Sequence, residues 1–154
     1  MPDRLLKALI AHLDSVFAGP NGDYPAVLET LAGLTAKQAV WKPAPGHNSI
    51  WQIVEHLTAS KIWQIEMLEK GQAASPAWTS QHTVDEAAWQ ASLERLKAAH
   101  AKLRGALGKR RDPDLLTIPS GESQTLVELI LSASSAHEAH HAGQIDYLKG
   151  FQAG

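Results

Sequence analysis

The chain has 154 residues, a formal net charge of −2 and no cysteine. That length suits one domain, residues 1–154, with a core that needs no covalent staples. Without cysteine there is no disulfide, thiolate metal site or cysteine nucleophile, and the acidic balance argues against the basic face of a nucleic-acid binder.

The first residues, Met1 to Leu13, mix Asp3, Arg4, Lys7 and His12 with apolar residues. No export leader is expected there, and the chain reads as cytoplasmic. No run approaches the roughly 20 apolar residues of a membrane helix. Leu5, Leu9, His12 and Val16 form one stripe of a first helix over 3–18, which Gly19-Pro20-Asn21-Gly22 ends. A shorter helix is expected from Pro25 to Leu34. Residues 41–48 contain Pro43, Pro45 and Gly46 and read as loop.

Three longer helices follow, each opened by a capping box in which a hydroxyl and a longer side chain satisfy orphan backbone N–H groups. Ser49 with Gln52 opens a helix over 50–70, ended by Gly71. Thr83 with Glu86 opens one over 84–107, ended by Gly108. Thr125 with Glu128 opens one over 126–149, ended by Gly150. The middle helix carries Trp89, Leu93, Leu96, His100, Leu103 and Leu107 at alternating spacings of four and three, the seam of a helix packed on near-antiparallel neighbours. The fold class is therefore all-α, a four-helix bundle. The long link before Thr125 leaves room for a brief extended piece at 115–119. Lys109, Arg110 and Arg111 are followed at once by acidic residues and read as a solvated loop.

Eight histidines carry the chemistry. At 100° per residue, His137 and His141 lie about 40° apart on the last helix, on the side of Ile130 and Leu148. Two adjacent imidazoles on an inward face cost free energy unless something satisfies them, and the i, i+4 spacing lets them grip one metal ion. His56 shares a face with Ile53, Ser60, Trp63 and Met67 and is the natural third ligand from a facing helix. His12 and His100 fall on inward stripes; packing or outer-support roles are mainly expected of them, and either could supply a fourth ligand, beside water. His140 lies at the edge of its stripe. His47 and His82 precede helices and are expected to be exposed, with His47 near the mouth of the site.

The segment His47-Asn48-Ser49-Ile50-Trp51-Gln52-Ile53-Val54-Glu55-His56-Leu57, preceded by Trp41-Lys42-Pro43-Ala44-Pro45-Gly46, resembles the DinB/YfiT-like family. So does His137-Glu138-Ala139-His140-His141-Ala142-Gly143-Gln144-Ile145 with Tyr147-Leu148. The resemblance spans nearly the whole chain. It implies a divalent metal ion on His56, His137 and His141. One departure is Ala142, where the family usually has arginine. The resemblance further implies, for some members, a metal-dependent transferase that uses a low-molecular-weight thiol such as bacillithiol; the family's link to DNA damage concerns induction.

Three imidazoles leave coordination positions open, as catalytic sites do. Zinc or nickel is the expected metal, with iron or manganese as alternatives. The function expected is S-transfer from a small thiol to small electrophiles; the alternative is a non-catalytic metal-binding or stress-response module. A hydrolase is the third reading, because His137-Glu138-Ala139-His140-His141 spells the zinc-peptidase pattern with Glu138 as base. Against it, the 13 residues after His141 hold no histidine or glutamate, and Gln144 replaces the glycine of the extended pattern. Glu55, Glu138 and Gln144 are candidates for supporting a ligand from outside, or simply solvent-facing or packing residues. Trp51, placed away from the metal face, and Trp78 in a loop suggest a homodimer.

Overall fold

The computed structural model describes residues 3–75, 77–78 and 81–153, which are helical with no strand among them. The helices are α1 (Arg4–Ala18), α2 (Val27–Leu31), α3 (Ala36–Val40), α4 (Ile50–Lys70), α5 (Glu86–Leu107), α6 (Asp112–Leu115), α7 (Leu126–Ile130) and α8 (His137–Ala153). A π-helical turn, Leu131–Ala136, joins α7 to α8 without a break. The four long rods of the bundle are α1, α4, α5 and this composite helix.

Sequence chemistry explains most of the boundaries. Ser49 and Gln52 form the expected reciprocal cap of α4: the Gln52 N–H donates to Ser49 Oγ at 3.2 Å, and the Ser49 N–H donates to Gln52 Oε1 at 2.9 Å. Gly71 ends α4 at φ 70°, a left-handed conformation that a Cβ would strain. At the last helix Glu128 reaches back to the Thr125 N–H at 2.7 Å. The basic cluster lies in a turn, but its neighbour Asp112 is not idle. Its carboxylate accepts the Leu5 and Leu6 N–H groups at 3.1 and 2.9 Å, capping α1 across the chain. Those bonds hold the Asp112 carboxyl below its ordinary pKa.

Several local expectations are corrected. The Thr83–Glu86 box does not form. Asp85 caps α5 by accepting the Ala88 N–H at 3.0 Å, while Glu86 accepts the Ala36 N–H at 2.8 Å and so caps α3. The helix expected over 25–34 is confined to α2. A second short helix, α3, follows on its own Thr35–Gln38 box, with reciprocal bonds of 3.3 and 2.9 Å. Residues 115–119 form the end of α6 and a turn, not an extended strand. Gly150 does not stop α8, because Lys149 and Gln152 bond the Thr30 and Gln38 carbonyls at 2.9 and 3.1 Å and secure the last turn. The buried face of α1 is Leu6, Leu9, Leu13, Val16 and Phe17, which leaves His12 exposed.

α4 and α5 meet along complementary seams. On α5, Trp89, Leu96, His100, Leu103 and Leu107 are buried, and Leu93 is partly so. On α4 the facing seam is Ile50, Val54, Leu57, Lys61, Gln64 and Leu68, again spaced four and three, and all six are buried. A lysine and a glutamine thus occupy the middle of an otherwise apolar core. The apolar residues split around them into two clusters. One is centred on Trp51, Trp89 and Leu57, the other on Leu13, Leu103 and Leu107. No described helix is long and apolar enough to cross a membrane.

Candidate metal centre

Two helices supply the site. α4 brings His56 just past its second turn, and α8 begins at His137 and brings His141 one turn later. The His56 and His137 Nε2 atoms lie 2.8 Å apart, and the His141 and His137 Nε2 atoms 3.0 Å apart. The rings stand nearly perpendicular, at 78–81° to one another. One ligand atom from each residue lies within 4.8 Å of the other two, and these three residues form a group able to hold a metal ion.

The donor set fits a divalent ion. Three neutral imidazoles that aim Nε2 at one point cannot all hydrogen-bond one another there, since an Nε2 that donates its N–H has no lone pair left to accept. Nitrogens around a tetrahedral zinc at 2.0–2.1 Å are separated by about 3.3 Å, close to the spacing found here. His141 Nδ1 lies 2.6 Å from Gln144 Oε1. An amide oxygen only accepts, so Nδ1 carries the proton and the Nε2 lone pair faces inward. Gln144, one of the three candidates for outer support, takes that role. The Nδ1 atoms of His56 and His137 are buried without a well-formed partner.

Burial pushes all three pKa values down. His141 falls to about 4, helped by its histidine neighbours and opposed by Gln144. His137 is lowered by burial and then by His56, and His56 by burial. At neutral pH the imidazoles are uncharged, the state a metal ligand requires.

The site sits at the edge of the bundle, not at its centre. His56, His137 and His141 are each only partly buried, and the His56 and Trp78 rings meet edge to face with their centroids 5.3 Å apart. A groove of about 500 Å3 opens over His56, His137, Ser60 and the exposed His140. On the other side, Gln144, Ile53 and His47 line a cleft of about 520 Å3. His47 is exposed, as expected, and lines this cleft.

The bundle centre belongs to a different constellation. Lys61 Nζ donates to Glu138 Oε1 at 2.5 Å, with the two side chains 1% and 2% exposed. Lys61 also donates to His100 Nδ1 at 3.0 Å. The opposite nitrogen, His100 Nε2, donates to Asp14 Oδ1 at 2.9 Å, and Arg104 joins Asp14 at 2.8 Å. Phe17 stacks on His100 at 4.0 Å, and Lys61 lies over the Phe17 ring at 4.6 Å. Next to this network, Ser134 donates to Gln64 Oε1 at 2.7 Å, and Gln64 Nε2 meets the Ala133 carbonyl of the π turn at 3.3 Å.

Several expectations change accordingly. His100 packs in the core, the role mainly expected of it, and both it and the exposed His12 stand outside the three-histidine group. His100 is held by Lys61 and Asp14, and His12 Nε2 lies 2.6 Å from Ser135 Oγ. Of the solvent-facing and packing alternatives for Glu138, the structure shows the buried one. Glu55 faces α5, where it accepts from Ser92 at 2.7 Å and pairs with Arg95 at 2.8 Å. Trp51 is 2% exposed: it donates to Ser92 Oγ at 2.8 Å and stacks on His82 at 4.5 Å. That removes Trp51 from any exposed aromatic face and leaves His82 partly buried.

The π turn accounts for the inward position of Glu138. A π turn takes up about one extra residue relative to an α-helix and shifts the following face by about 100°. The buried line Leu126, Ile130, Ser134 therefore continues through Glu138, Ala142 and Ile145. His137 and His141 move to the flank, where a metal site can open to solvent.

Acid should weaken the folded apoprotein. His100 is lowered to about 4 by burial and the Lys61 cation, and the metal-site histidines shift the same way. Between the unfolded value of about 6.5 and these folded values the unfolded chain binds more protons, so stability rises with pH. The Tm of metal-free protein is expected to be nearly flat above pH 7 and to fall steadily from pH 6.5 towards 4. A Tm that rises on acidification would contradict these burial-driven shifts.

Fold and site together define an all-helical bundle whose facing helices converge histidines on one point, an arrangement suited to a divalent metal. The family model of the DinB superfamily matches residues 23–145, which include all three histidines, and the chain belongs to that superfamily. Comparison with curated proteins and with solved structures gives no match.

Proposed function

We propose that the protein is a metal-dependent S-transferase that joins a low-molecular-weight thiol of the bacillithiol type to small electrophiles. The observation that carries this reading is the position of Glu138. In the hydrolase reading this carboxylate must take a proton beside the metal, but here it is sealed in the core against Lys61. The three-histidine group contains no carboxylate. A divalent ion on the site, zinc or nickel by preference, supplies Lewis acidity that lowers the pKa of a thiol without a protein base.

The chain's own residues present three uncharged imidazoles, and Gln144 fixes the tautomer of one. They leave the groove over Ser60 and His140 open to a thiol. In the overall reaction the thiol loses its proton, a sulfur–carbon bond forms, and the electrophile either expels its leaving group with the bonding pair or takes the proton at the adjacent carbon. No electron acceptor is needed. Because the chain has no cysteine, the sulfur must arrive with the cosubstrate. A cytoplasmic location and a homodimer belong to the same proposal.

The test is a matrix of small thiols and electrophiles on zinc- and nickel-loaded protein, with product measured by mass spectrometry. Turnover should follow metal content and stop on chelation. Metal-replete protein that turns over no pair would replace this reading with the non-catalytic module, and chelator-sensitive peptide hydrolysis would replace it with the peptidase.

A further inference from the structure

The cleft of about 520 Å3 beside the site is within the size range of small-molecule pockets, and its two ends differ chemically. Ile53 and Leu148 form an apolar floor, and Tyr147 and Phe151 stand at the rim. Those two rings meet edge to face at 4.8 Å, yet they are 70% and 55% exposed. Such rings project into water unless something covers them. At the other end stand His47 and Gln144. Gln144 uses its oxygen to hold His141, which leaves its amide N–H groups as donors towards the cleft. No carboxylate, ammonium or guanidinium is among the described lining residues.

We infer that this cleft binds the electrophile, and that the class it takes is an uncharged molecule pairing an aromatic ring with a carbonyl-type acceptor. The ring packs on Leu148, Tyr147 and Phe151, and the acceptor takes a hydrogen bond from Gln144. Since Gln144 also bonds His141, the acceptor end is anchored on a residue that touches a candidate metal ligand and the ring is held away from it. The groove over Ser60 and His140 is then free for the thiol, so the two reactants approach from opposite sides. Two rings make too small a patch for a stable dimer, which covers about 800 Å2 per partner, and a concave wall with an exposed amide donor at Gln144 suits a small molecule better.

This inference rests on the S-transferase reading for the word electrophile, but binding can be tested without turnover. N-phenylsuccinimide is uncharged, aromatic, carbonyl-bearing and inert to thiols. Calorimetry on zinc-loaded protein should show saturable binding at about 1 mM or below, the order expected for a ligand of its size. Phe151→Ala and Gln144→Ala should each weaken it about fivefold or more. Ile62→Ala, at an exposed position that does not line the cleft, should leave it unchanged. Absence of saturable binding, equal binding to the Phe151→Ala protein, or equal affinity for benzoate would overturn the assignment. So would a dimer that Phe151→Ala dissociates, because the cleft would then face a second copy. Intact N-phenylsuccinimide binding with no thiol–electrophile turnover would sink the S-transferase reading alone.

Discussion

His137→Ala is expected to abolish stoichiometric metal binding. Of the three imidazoles, His137 is the one whose Nε2 approaches both others, at 2.8 and 3.0 Å. Removing it leaves His56 and His141 on separate helices with no shared neighbour. Loss of an outer-shell partner alone costs about 10–100-fold in metal affinity, so loss of this ligand should cost more than about 100-fold. Gln144→Leu, which removes only the partner of His141, should fall within that smaller range. His140→Ala should retain metal, since His140 is exposed and outside the group. Elemental analysis of untagged protein, followed by competition with a chelator, measures all three. Full retention of metal by His56→Ala/His137→Ala would remove the site altogether.

The second large effect concerns stability. Glu138→Gln leaves the Lys61 ammonium buried without its counter-charge, and breaking one side of such a pair costs about 3–5 kcal/mol. For a chain of this size that corresponds to a fall of roughly 10 °C in Tm. Lys61→Met/Glu138→Leu removes both charges together and should recover part of the loss, because a buried pair gains little over packed apolar residues, while His100 Nδ1 loses its Lys61 donor. Paired thermal melts of the single and double variants separate this outcome from general core damage; a double variant no better than Glu138→Gln would show that the charges are not the cause. Metal content should persist in the folded double variant, and so should most thiol transfer per bound metal, since neither side chain is in the metal group. A metal-replete double variant with activity down a thousandfold would restore Glu138 as a base.

Much of this protein is legible in one dimension because the information is local. The Ser49–Gln52 cap, the left-handed Gly71 and the α5 seam from Trp89 to Leu107 each depend on residues within a few positions. The i, i+4 relation of His137 and His141 survives because both lie within α8, and His56 joins them because α4 keeps an unbroken seam. A signal for the buried cation was also present: Lys61 and Gln64 stand at seam positions between Leu57 and Leu68, where apolar residues are expected. The Thr35–Gln38 box likewise announced α3.

What only the tertiary structure decided depends on partners far along the chain. Whether Glu86 caps its own helix or α3 is settled by the approach of Ala36, fifty residues away. The phase of the last helix is settled by the π turn at Leu131–Ala136, where Gln64 of α4 bonds Ser134 and the Ala133 carbonyl. A helical wheel assumes a constant angle per residue, and one extra residue in a turn invalidates every facing assignment beyond it. That slip carries Glu138 inward to Lys61 and His137 and His141 outward to the rim. It thus separates the buried charges from the three-histidine group although Glu138 adjoins His137 in the chain.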